Sequence, residues 1–236
     1  MSASNLRRRR AAAGNVVPLE RSSTKDLLIE TGELLYGQHG FNGISLREIA
    51  AMAGQRNCNA VQYHFKNKEG FVSAILADRV SRLDALRIKL FDELKASVPA
   101  GVYEPRDLLK VIWLPDLSIV GPNNIHTYIR FSLQYYLQPD AGAHPFYTRD
   151  PETGRGHVTE LGHRSCLLHV TGLLRRKFEH IRDETFDRRI TVLSMMYQCS
   201  VVEYDNEHVL GNRKKRPAYD ADAIIDMAIG ALSAPD

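Results

Sequence analysis

The residues Gln55–Lys68 read QRNCNAVQYHFKNK, and their types suit the reading of base edges and phosphates. Val61 and Phe65 are four apart, so on a short helix they share one inward face. Asn59, Gln62, Tyr63 and Lys66 then point outward. Amides, a phenol and a cation make a poor core and a good face for DNA. A Gln side chain can pair with adenine N6 and N7, worth about 1–3 kcal/mol of discrimination. Cations and hydroxyls hold phosphates and fix register. Ser45, Arg47, Arg56, Asn57, His64 and Lys68 flank the same stretch and complete the expected DNA-contacting set.

Catalytic chemistry has no comparable support. The chain holds no G-x-S-x-G, no H-E-x-x-H and no phosphate-binding glycine loop. His126, His144, His157, His163 and His169 are scattered over separate segments, with no spaced carboxylate pair tied to any of them. Cys58, Cys166 and Cys199 form no CxxC and no Cys/His ligand spacing, so they read as reduced thiols. No metal, no cofactor and no enzymatic activity are expected.

The outward face needs a support, and SLREIAAMAG (45–54) supplies it. Ser45 and Glu48 form an S-x-x-E capping box. Leu46, Ile49, Ala50 and Ala53 follow at helical spacing, Ala50 being small enough for a crossing helix. Gly54 falls where the helix must end with φ > 0. A second short helix is expected from an N-cap at Asn57 to about His64. Upstream, Thr24 to Gln38 reads as a helix capped by Ser23 or Thr24, with Leu27, Leu28, Leu34 and Leu35 inward and Gly40 and Phe41 closing it. Downstream, Asn67 can cap a helix from Lys68 to about Lys95, with Val72, Ile75, Leu76, Val80, Leu83, Leu86, Leu90 and Leu94 at 3–4 spacing. Lys68 sits at its positive end, a phosphate position.

This helix-turn-helix pattern resembles the N-terminal domain of TetR-type transcriptional regulators. The resemblance runs from Thr24 to Leu76 and rests on TKDLLIETGELLYGQHGF, then G-x-S-L-R-E-I-A-x-x-A-G, then Y-H-F-x-N-K-E-G-F. Two departures stand out: Gln55 follows the turn glycine where the family has an apolar residue, and one residue more separates Gly54 from His64–Phe65. The resemblance implies a bacterial cytoplasmic protein, an all-α fold, effector binding in a C-terminal domain and a homodimer on an operator.

The chain of 236 residues, 44% hydrophobic, suits one or two helical domains with a substantial core. A net charge of +3 is not that of a bulk DNA coater, and a specific reader works with a local basic surface instead. No apolar run reaches the roughly 18 residues of a membrane helix, and no apolar segment of a secretory signal follows Arg7–Arg10. Three segments are expected: 1–22, a disordered basic arm that adds phosphate or minor-groove contacts at most; 23–70, an all-α three-helix DNA-binding domain; and 71–236, a larger helical ligand-binding and dimerisation domain.

In the larger domain, helices are expected over Pro105–Ser118, Asn123–Leu137, His157–Ile181, Glu184–Asn206 and Asp220–Leu232, with a long loop from 138 to 156. Trp113, Tyr128, Phe131 and Tyr135 concentrate in the middle third and are either core or the walls of an apolar cavity, with Arg130, Gln134 and His169 able to fix a ligand's polar end. On Glu184–Asn206, Phe186, Ile190, Leu193 and Tyr197 make one apolar stripe, and Val192, Met195, Met196, Cys199 and Val202 a second. The last helix, with Ile224, Ile225, Met227, Ala228, Ile229 and Leu232, is apolar nearly all round. Helices with two apolar faces need two partners. A two-fold dimer is therefore expected, with Ile190, Leu193, Tyr197, Ile224, Ile225 and Ile229 at its interface.

Together these readings point to a ligand-responsive, sequence-specific regulator, a repressor released from a two-fold operator by a small, largely apolar effector. The rivals are a non-specific architectural DNA-binding dimer and, with less behind it, a helical enzyme.

Overall fold

The computed structural model describes residues 23–57, 59–98, 102–138, 147–149, 156–158, 165–210 and 218–236. The basic arm expected over 1–22, Cys58 and the Lys214–Lys215 loop lie outside the described residues.

Helix α1 (Thr24–His39) opens on a capping box: Ser23 Oγ accepts the Asp26 N–H at 3.1 Å, and the Asp26 carboxylate accepts the Ser23 N–H at 3.1 Å. Its buried stripe is Leu28, Ile29, Leu35 and Tyr36. Leu27, expected inward, is 39% exposed, because the stripe runs one position further round the helix. Helix α2 (Leu46–Met52) carries the expected Ser45–Glu48 box, and Ile49 and Ala50 are fully buried. Gly54 takes φ +71 and turns the chain.

Helix α3 (Ala60–Phe65) starts three residues after the expected N-cap. Asn57 Oδ1 accepts the Asn59 N–H at 2.9 Å, and this local Asx turn holds Asn57 and Asn59 outside the helix. Helix α4 (Lys68–Ser97) is capped by Asn67, whose Oδ1 accepts the Gly70 N–H at 2.8 Å. Its 30 residues span about 45 Å at 1.5 Å each. Two arginines, Arg79 and Arg87, interrupt its apolar stripe and are buried, while Leu86, expected inward, is exposed.

Helix α5 (Pro105–Trp113) is shorter than expected; Pro115 sits in a 3₁₀ turn over Leu114–Ser118 that follows it. Helix α6 (Thr127–Tyr136) begins late, because Asn123 and Asn124 take φ +60 and +59 in a separate turn. Strands β1 (Tyr147–Arg149) and β2 (Gly156–Val158) pair antiparallel, Tyr147 opposite Val158. His157 lies in β2, so the helix expected from that residue starts instead at Cys166, as α7 (Cys166–Lys177). Asp84 of α4 accepts the N–H groups of Cys166 and Leu167 at 3.0 and 3.1 Å, pinning the start of α7. Helices α8 (Asp183–Leu210) and α9 (Asp222–Ser233) complete the chain. The architecture is the expected all-α one, with a three-helix N-terminal unit and a larger helical remainder, plus one small hairpin.

Two apolar cores form. The first gathers α1, α2, α3 and the first half of α4 around Tyr36, Phe41, Phe65 and Phe71, and it takes in Tyr128, Phe131 and Tyr135 of α6. The second gathers α5, α7, α8, α9 and the far half of α4. Helix α6 thus packs on α1 with its aromatic face and on α8 with another.

Candidate nucleic-acid interface

Val61 and Phe65 anchor α3 in the first core, and Phe65 lies 4.8 Å, centroid to centroid, from Phe71. With those two positions fixed, the intervening residues can only face solvent. Gln62, Tyr63 and His64 are exposed, Tyr63 to 81%. Tyr63 and His64 stand edge to face with centroids 5.1 Å apart, so the two rings present one joint surface.

Asn59 occupies the N-cap position of α3, and Arg56 and Asn57 sit in the turn ahead of it, all exposed. The late helix start moves these three from the body of the helix to its leading end. Ser45 holds the capping box, which draws the Glu48 carboxyl below its usual range through the hydrogen bond from the Ser45 side chain. Arg47 is exposed on the first turn of α2. Lys66 closes α3 with φ +70, and Lys68 begins α4 with Nζ 3.2 Å from Asn42 Oδ1. Asn42, which steers Lys68, was not singled out from the sequence; only proximity in the fold reveals it. Cations and amides therefore ring one polar face that a rigid three-helix core holds up. Chemically this face can donate to phosphates, offer an amide to a base edge and stack or wedge a phenol.

The residues expected around a ligand are not brought together. Tyr128, Phe131 and Tyr135 are buried in the first core against α1, with Phe131 5.5 Å from Phe41. Trp113 stacks on Tyr197 in the second core at 5.1 Å and 9°. Those four aromatics fill core space because α1 and α8 cover both faces that carry them. His169 alone borders a cleft, about 370 Å³ in volume, between α4 and α7; Ile88, Phe91, Asp92, Lys95, Ser165 and Cys166 complete its walls. Burial pushes the Cys166 thiol up to about 11, so it is a neutral wall group.

The expected dimer contacts also divide. Leu193, Tyr197 and Ile225 are buried inside the protomer and are corrected from interface to core. Ile190, Ile224 and Ile229 are half-buried against that same core. The reason is helical phase: the stripe containing Phe186, Leu193 and Tyr197 meets Trp113 and α9. Of the second stripe, Met196 and Val202 also pack against that core, and only Val192, 58% exposed, and Cys199 are left outward. On α9 the outward apolar position is Met227, 57% exposed, beside Ala223 and Gly230.

No protein-family model matches the chain. A probable HTH-type transcriptional regulator, YttP of Bacillus subtilis (strain 168), is 41% identical over 56 residues, which is 24% of this chain and 27% of that protein. The matched stretch thus spans about a quarter of that relative's length. Among solved structures, AmtR of Mycobacterium smegmatis aligns over 91% of this chain and 88% of its own at 16% identity, with a TM-score of 0.47. A putative TetR-family transcriptional regulator of Vibrio parahaemolyticus aligns over 90% and 98% at 20% identity, TM-score 0.42. No helix among the described residues is long and apolar enough to cross a membrane.

Proposed function

We propose that this chain is a sequence-specific DNA-binding transcriptional regulator acting as a homodimer, a repressor released from its operator by a small, largely apolar effector. The observation that carries the reading is the outward face of α3, where Gln62, Tyr63 and His64 stand exposed beside Arg47, Lys66 and Lys68 while Val61 and Phe65 are locked in the core. The match to a helix-turn-helix regulator over 56 residues supports the same reading. Gln62 reads a base, Tyr63 and His64 contact sugar and phosphate, and Asn59, Asn57, Arg56, Ser45, Arg47, Lys66 and Lys68 fix the helix on the backbone.

Dimerisation joins the exposed apolar positions of α8 and α9, Val192 and Met227, and brings two α3 faces to half-sites about 34 Å apart. The effector docks in the open cleft between α4 and α7. There Ile88 and Phe91 offer apolar contact, and Lys95 and His169 offer polar contact. Ligand that prefers a wider α4–α7 separation shifts the population away from the DNA-binding state. Selection from a pool of random duplexes tests the reading. A two-fold motif with two equivalent half-sites is expected; enrichment of no sequence would instead mark a non-specific, architectural binder.

A further inference from the structure

A continuous buried polar line crosses four helices, and nothing in DNA reading itself requires it. Asp205 of α8, fully buried, accepts the backbone N–H of His126 at 2.8 Å and lies 2.9 Å from its Nδ1. The next residue, Thr127 of α6, donates its hydroxyl to Glu33 Oε1 of α1 at 2.5 Å. The other Glu33 oxygen takes the Arg79 Nε of α4 at 2.5 Å. Glu33, Arg79, His126 and Thr127 are all at least nine-tenths buried. Glu33 is a charged residue in the middle of the apolar stripe of α1, and Arg79 likewise breaks that of α4.

Apolar contacts between helices tolerate small slides. A buried charged hydrogen bond does not, since a lost partner leaves a desolvated group unpaired. The α1–α6 contact is also tight: a Cβ built on Gly37 would lie 3.0 Å from Arg130 Cβ and 3.1 Å from the Phe131 nitrogen. Helix α6 therefore meets α1 along one side in a single register, and its first residues are fixed to α8 on the other.

We propose that Thr127, Glu33 and Arg79 are positioning residues that fix the orientation of the DNA-reading unit relative to α8. The proposal rests on the regulator reading above and deepens it: it names the contact through which the C-terminal helices set the spacing of two α3 faces. Thr127 is the adjustable member, because Glu33 and Arg79 hold each other whether or not α6 stays in place. A shift of α6 along α1 stretches the Thr127–Glu33 bond and leaves a buried Glu33 oxygen without that donor, so the bond ties the tilt of the reading unit to the position of α6.

Thr127→Val keeps the side-chain shape and removes only the hydroxyl, and Thr127→Ser restores it. Affinity for a duplex with both half-sites is expected to fall roughly tenfold in Thr127→Val, the scale of residues that transmit coupling. Affinity for a single half-site should stay unchanged, and Thr127→Ser should return the two-site value. Equal losses on one and two half-sites, or no loss on either, overturn the proposal. A second readout needs no DNA. Nitroxides at Met52→Cys and Glu203→Cys, in a background without the native cysteines and diluted with unlabelled chain, report the distance from α2 to α8. The distribution is expected to be narrow in the otherwise native chain, broad with Thr127→Val and narrow again with Thr127→Ser. If no DNA preference exists but the distribution still broadens, the regulator reading fails and the positioning role stands. If specific DNA binding exists and the distribution never changes, the positioning role alone fails.

Discussion

Lys66 holds a backbone conformation that side-chain-bearing residues avoid. Its φ is +70 and ψ −58, and the Asn67 N–H donates across it to the Phe65 carbonyl at 2.9 Å. Such a tight turn costs on the order of 1–3 kcal/mol. Lys66→Gly should therefore raise stability by about 1 kcal/mol, seen as a higher denaturant midpoint. The same change should weaken DNA binding on every sequence and lower the salt slope by about one. A less stable variant, or one whose DNA salt slope is unchanged, would contradict that view of Lys66. Gln62→Ala carries a different expectation: preference at one operator position relaxes by about 1–3 kcal/mol and others keep theirs. A uniform loss would make Gln62 a backbone contact. Asp116 offers a pH signature. Burial pushes its carboxyl from 3.8 up to about 6, although Arg87, 2.8 Å away, pulls it down. Since the folded value lies above the unfolded one, its contribution is full below pH 3.8 and is lost as pH rises through about 6. Asp116→Asn should remove that slope, so the stability gap between native chain and variant changes across this window; parallel curves would rule it out. The polar face of α3 was legible in the sequence because Val61 and Phe65 fix the phase of everything between them. The Glu33–Arg79 pair was not, since a charge inside an apolar stripe does not name its partner.

At the scale of elements, caps were the most readable feature. Ser45 and Asn67 cap where the sequence places them, and Ser23, one of the two candidates with Thr24, caps α1, because each bond joins residues three apart. Asn67→Ala should cost about 1 kcal/mol of stability and loosen the start of α4, where Lys68 sits; an unchanged melting curve would deny the cap that role. Two other helix starts near asparagines fall later than their spacing suggests. Asn57 and Asn123–Asn124 build turns of their own, which delay α3 and α6. The two stripes of α8 were visible, but their partners were not. Which stripe meets α9 depends on the packing of Trp113 against Tyr197, a contact between residues 84 apart. The consequence is testable. Met227→Lys together with Val192→Asp should yield folded monomers in sedimentation velocity, whereas Ile225→Lys should unfold the chain, its site being fully buried. A dimer that survives the double change would move the interface elsewhere.

Across the whole molecule, a net charge of only +3 means that the proposed DNA affinity rests on a local surface and, in the proposed dimer, on two of them acting together. The rod of α4 joins the N-terminal unit to the cleft beside Phe91 and His169, and α6 ties that unit to α8. The role of the middle-third aromatics was the least legible part of the sequence. Aromatics at helical spacing fill cores and line cavities equally well, and here Tyr128, Phe131 and Tyr135 fill a core. The most direct test of the account is fluorescence anisotropy of the native chain on a duplex carrying the selected two-fold site, titrated against scrambled competitor at physiological salt. The account predicts tight binding that survives excess competitor and drops when one half-site is scrambled. Equal affinity for both duplexes, abolished together by moderate salt, would contradict it.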